Sequence, residues 1–171
     1  MAERHPRGDR SDVLWDGFIA GALGAITVAS WFLAVDMVQG QPLHTPALLG
    51  TALLEGAGAA GHVEEVHTDV VAIYSGIHMV AFALFGLAVA WVVERVRRRP
   101  VLGWLLVFLF VAFEFGFYVF VLAFARPLVQ GLPAWEILAG NFAAAAVMGG
   151  YFLLRNPDLV PVRGDWDGTD G

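Results

Sequence analysis

Val101–Ala125, VLGWLLVFLFVAFEFGFYVFVLAFA, is a run of 25 residues that contains a single charged residue type, Glu114. A helix rises about 1.5 Å per residue, so about 20 mostly apolar residues cross a hydrocarbon core about 30 Å thick. The run is long enough to do so. Gly17–Val35, Val70–Val93 and Ile137–Leu154 are three further runs of the same kind. None shows the two-residue alternation of a barrel strand. In lipid every backbone N–H and C=O must be satisfied within the protein, which leaves continuous apolar runs the helical solution. The chain therefore reads as an all-α integral membrane protein, a bundle of four transmembrane helices.

The 171-residue composition supports this reading. Apolar residues make up 58% of the chain and the mean hydropathy is +0.66, against about 45–50% apolar content in soluble domains. The expected organisation is a cytoplasmic tail over 1–12, a membrane domain over 13–154 and an acidic, disordered tail over 155–171. Within the domain the spans cover about 13–38, 69–94, 101–125 and 134–154, and an extracytoplasmic connection covers 39–68. With no cysteine in the chain, disulfides and thiolate ligands are excluded.

Arginine supplies all the basic charge and sets the orientation. Arg4, Arg7 and Arg10 precede the first span, and Arg95, Arg97, Arg98 and Arg99 fill the turn after the second. The 39–68 connection has no basic residue, and the turn after the third span has only Arg126. The positive-inside rule then places both termini and the arginine turn in the cytoplasm, with that turn against anionic headgroups. The expected location is the plasma or inner membrane, in multi-pass form. Trp15, Trp91 and Trp104 fall near the inner interface and Trp135 near the outer one, as in an aromatic belt. The formal net charge of −6 offers no basis for a nucleic-acid partner. A cleaved leader ending at Val28-Ala29-Ser30 is the weaker reading of the first run, which exceeds the usual signal core of about 7–15 residues.

Local signals mark the helix ends. Ser11 and Asp12 can cap the first helix, and Pro100 suits the first turn of the third. Arg126-Pro127 marks the end of that third helix. Small residues at Gly17, Gly21 and Gly24, and again at Asn141, Ala145 and Gly149, form stripes that let helices approach closely. The outer connection is long for a helix–helix link, which usually takes about 2–8 residues. Thr45-Pro46 reads as an N-cap and first position, predicting a short extra helix over Ala47–Glu55.

The polar residues inside the spans indicate where any activity sits. Counting inward from the outer ends, His78, Glu114, Asn141, Thr27 and Ser30 reach similar depths. His67, Tyr74 and His78 share one helix face, and Tyr118 lies one turn from Glu114. A charged group at the centre of a span costs about 2.5–3.5 kcal/mol on insertion scales. Interhelical hydrogen bonds average only about 0.6 kcal/mol, so a glutamate kept there for packing alone is a poor use of the position. The leading expectation is a buried His78/Glu114/Asn141 layer, open toward the outer face, that binds an ion or cofactor or relays protons. The alternative is a structural or accessory subunit of a larger membrane complex, for example a respiratory one, in which the layer only holds the bundle together.

Metal chemistry is weighed on the same residues. A b-type haem on His78, five-coordinate or with His44 as second ligand, is one open reading. A di-metal bundle site needs two Glu-x-x-His motifs, and Glu64-x-x-His67 occurs once. A transition-metal or proton-uptake group at the outer mouth could draw on His67, His44, His62, Glu64, Glu65 and Asp36, with a solvated helix start as the plainer account. Asp36 could equally pair with Arg126. No serine or cysteine lies beside a histidine and a carboxylate at triad-like spacing, so an enzyme is not expected. The expected partners are the bilayer, further copies of the chain or a larger complex.

Overall fold

In the computed structural model, α1 (Arg10–Val38) and the second long helix, α3 (Thr68–Arg98), meet backbone to backbone. The model describes residues 10–56, 66–124 and 133–157. Gly17 and Gly21 of α1 lie against Gly86 of α3. A Cβ on Gly86 would stand 2.7 Å from the Gly21 Cα, and one on Gly17 would stand 2.8 Å from the Leu87 Cα. The Gly17/Gly21/Gly24 stripe is thus the contact that joins these two helices.

The remaining elements are a short helix, α2 (His44–Leu54), a 3-10 turn at Pro100–Gly103, α4 (Trp104–Phe124) and α5 (Ala134–Arg155). No strand occurs among the described residues. Among the described residues four helices are long and apolar enough to cross a membrane: Ser11–Val38, Thr68–Arg98, Pro100–Val119 and Ala134–Arg155. α3 runs on through the arginines because Glu94 pairs with Arg97 at 3.2 Å and Arg98 at 2.9 Å, one turn ahead. The expected end of the third span at Arg126-Pro127, and the tails, lie outside the described residues.

α5 packs on α1 through Gly140, Ala144, Met148 and Phe152. The Trp31 ring packs against Gly140, its Cδ1 2.8 Å from where a Cβ would sit. This corrects the expected small-residue stripe by one position. Asn141 is buried, but Gly149 faces open space. The central core is Ala20, Ala25, Val28, Phe82, Ala90, Val93, Ala144, Met148 and Phe152. α4 joins it by its aromatic edge, with Phe113 4.4 Å from Phe85 and 5.6 Å from Phe82 between ring centroids. No residue in the most apolar window of α4 is buried, so it is the peripheral helix.

α2 folds back into the bundle. Thr45, Ala47, Leu48, Leu49, Gly50, Thr51 and Ala52 are all buried. The helix begins at His44 rather than Ala47, after Leu43 in the left-handed region at φ 65°. Thr45 does not cap it, because its hydroxyl donates to Asp36 instead, at 2.6 Å.

Candidate functional site

The sequence-selected polar residues separate into three groups. His78 sits on α3 with its ring 4.8 Å from Phe82 and 6.0 Å from Tyr74 between centroids, and Nε2–H donates to the Ala25 carbonyl of α1 at 3.3 Å. That bond ties α3 to α1, and no hydrogen bond or ion pair joins His78 to Glu114 among the described residues. The Thr27 hydroxyl donates to the Leu23 carbonyl one turn back, the geometry by which a hydroxyl is satisfied within its own helix. Ser30 is exposed on α1 and Tyr118 half-buried on α4.

Glu114 and Asn141 form the second group. The Asn141 amide of α5 lies close enough to act on the Glu114 carboxyl of α4. Even so, both Glu114 carboxyl oxygens and the Asn141 Nδ2 are enclosed without a hydrogen bond of normal distance and angle. Tyr118 does not satisfy Glu114. The acceptors and the donor are left unused near one another, in a bundle whose other buried polar groups are largely paired. A buried carboxyl without a partner is costly unless a proton or another cation neutralises it.

An apolar seal stands one turn toward α2. Leu48, Leu49 and Ala52 of α2 pack with Ile137, and Phe32, Tyr74 and Phe117 close around them, so all four long helices contribute. Tyr74 is one turn from His78, Phe117 one turn from Glu114 and Ile137 one turn from Asn141. α2 is itself held down by Asp36, which is 2% exposed. The Asp36 carboxyl accepts from the Thr45 backbone N–H at 2.8 Å and from its hydroxyl at 2.6 Å.

The outer group considered for metal binding is only partly within view. His62, Glu64, Glu65 and Arg126 lie outside the described residues. His67 is exposed beside α3, and His44 opens α2 half-buried. Among the described residues no three His, Asp or Glu side chains converge as metal ligands do. At the arginine end, Asp16 of α1 accepts from the Tyr151 hydroxyl at 2.9 Å and from Arg155 Nε at 3.0 Å. Arg95 lies over the Trp91 ring at 4.0 Å, whereas Arg98 and Arg99 are exposed.

Sequence reasoning did not pair Asp36 with Thr45 or Asp16 with Tyr151 and Arg155, and it read Glu136 only as a first-turn carboxylate favoured by the helix dipole. Glu136 is 5% exposed and its Oε2 has no partner. The only sequence signal for these was an ionisable residue just inside a span boundary. The fold and the site define a class, a helical bundle with four helices able to cross a membrane. Comparison with known protein families, curated proteins and solved structures gives no match.

Proposed function

We propose that this is a plasma- or inner-membrane protein that binds and releases a proton at Glu114, with Asn141 beside it and α2 closing the site on the outer side. The observation that carries the reading is the pair of enclosed, unpartnered Glu114 oxygens next to an unpartnered amide N–H. A proton neutralises the carboxyl within the bundle. His78, one helix away, holds α3 to α1 and keeps the aromatic wall of the site in place. A second reading, an accessory subunit of a larger membrane complex, draws on the unburied α4, a whole spanning helix left for lipid or another chain.

The test is proton flux in proteoliposomes holding an entrapped pH-sensitive dye under a potassium diffusion potential. Flux through the wild-type chain should fall about 100-fold or more in Glu114→Gln, the scale set by losing a proton-transfer group. Equal flux in wild type and variant, or none above empty vesicles, would reject the reading and favour the accessory subunit.

In the proposed topology both termini and the arginine turn are cytoplasmic and α2 faces outward. Asp16, Arg155 and the end of α3 meet at one end of the bundle, which agrees with an up-and-down path. Because the chain has no cysteine, single-cysteine variants report cleanly. Gln41→Cys should react with a membrane-impermeant maleimide on intact cells, and Arg99→Cys only after permeabilisation. The reverse pattern would invert the topology.

A further inference from the structure

We infer that Glu136 is a second proton-binding carboxyl, the group through which the Glu114–Asn141 site exchanges protons with the α2 side of the bundle. This inference rests on the proton-exchange reading of Glu114 and extends it to a residue outside the layer expected from sequence. Among the described residues, enclosed side-chain atoms without a hydrogen-bond partner belong to three residues: Glu114, Glu136 and Asn141. Glu136 is the most deeply buried of these, at 5% exposure, with Oε2 unpartnered.

Its position follows from packing. Trp31 Nε1–H donates to the Glu136 carbonyl at 2.9 Å, and the same indole lies on Gly140 one turn later. The first turns of α5 are therefore pressed onto α1, which carries Glu136 into the bundle. A first-turn carboxylate is favoured by the helix dipole, but that gain is smaller than the cost of enclosing a carboxylate oxygen without a partner, so the dipole alone does not explain the burial. Glu136 adjoins Ile137, the α5 member of the seal under α2. Asn141 follows five residues later, about 7.5 Å along the helix. Five residues also turn the helix by about 140°, so Glu136 and Asn141 are enclosed on different faces of α5, Glu136 nearer the α2 end and Asn141 nearer the middle, beside Glu114.

No hydrogen bond joins Glu136 Oε2 to Glu114, so on this inference a proton leaving Glu136 passes to water admitted between the helices and from there to a Glu114 oxygen. Each carboxyl is neutral while it holds the proton and anionic once the proton has moved on. Charge is conserved at each step and no co-reactant is required. The Asp36–Thr45 latch holds α2 over this path.

The experiment has two arms. Purified wild-type protein in detergent is treated with dicyclohexylcarbodiimide, which adds to carboxylic acids in apolar surroundings, and the adducts are mapped by mass spectrometry. Adducts on both Glu114 and Glu136 are expected. In proteoliposomes, Glu136→Gln should slow proton flux about 100-fold, and Glu136→Asp, which keeps a carboxyl, should restore much of it. Full flux in Glu136→Gln alongside its loss in Glu114→Gln would overturn the inference and leave the Glu114 reading standing. Flux indifferent to both substitutions would overturn both. Should Glu136→Gln fail to fold, the wild-type labelling decides, and an adduct on Glu114 alone rejects a proton-binding role for Glu136.

Discussion

Gly86→Ala is expected to weaken the bundle by about 3 kcal/mol, and Gly86→Leu by more. The added Cβ would meet Gly21 backbone atoms at 2.6 and 2.7 Å and press on the Gly17 carbonyl. These are backbone atoms of a facing helix, so no rotamer change relieves the overlap and the helices must separate. Separation removes the close van der Waals packing that holds helices together in lipid. It also strains the central core, where Phe82 and Ala90 of α3 meet Ala20 and Ala25 of α1. Gly149→Leu is the matched control, because nothing lies within 4 Å of a Cβ there, and its effect should stay within about 0.5 kcal/mol. Helicity followed through a sodium dodecyl sulfate titration in mixed micelles compares the three. Coincident transitions for Gly86→Leu and Gly149→Leu would refute the tight α1–α3 contact.

Asp36→Ala should release α2 while leaving the four long helices in place. The buried carboxyl accepts both the Thr45 N–H and the Thr45 hydroxyl. Removing it strands two buried donors at about 1–3 kcal/mol each. The helix also follows Leu43 in the left-handed region at φ 65°, a conformation that costs a non-glycine residue about 1–2 kcal/mol and relaxes once the latch is lost. A local loss of about 3 kcal/mol corresponds to about 100-fold faster hydrogen–deuterium exchange for amides of residues 44–54. Asp36→Asn retains one acceptor oxygen and should show a smaller rise, about tenfold. Unchanged exchange in Asp36→Ala would mean that the apolar seal alone holds α2.

The two substitutions bear differently on proton flux. If protons reach Glu114 from the α2 side as proposed, a freed α2 uncovers their route past Tyr74 and Ile137, and Asp36→Ala should not share the flux loss of Glu114→Gln. Gly86→Ala acts through the whole bundle and offers no such discrimination.

The site was partly legible in the chain. Glu114 and Asn141 stood out because a polar residue in an apolar run is conspicuous from composition alone, and the structure brings them near each other. His78 was equally conspicuous, yet its partner is a backbone carbonyl, and every residue offers one of those. Asp36 and Glu136 fell just at span ends, where an acidic side chain is ordinarily solvated, so Asp36 read as an outer-mouth ligand or an Arg126 partner and Glu136 as a helix-dipole carboxylate, and the burial of neither was legible. The small-residue stripe of α1 was read at its true positions, whereas that of α5 was read one residue away. Small residues fill much of Gly140–Gly150, so several helix faces there look alike.

Four helices able to cross a membrane and the isolation of Glu114 within one of them were determined by the sequence alone. Run length and local polarity set both, and neither depends on what a helix touches. The tertiary structure decided which faces meet, that α4 stays peripheral, that α2 turns inward to seal the bundle, and that Asp36 and Glu136 are buried. These outcomes arise from contacts between positions far apart in the chain. In helices apolar on nearly every side no polar stripe marks the outer face, so shape complementarity between facing helices, rather than periodicity along any one of them, makes the choice.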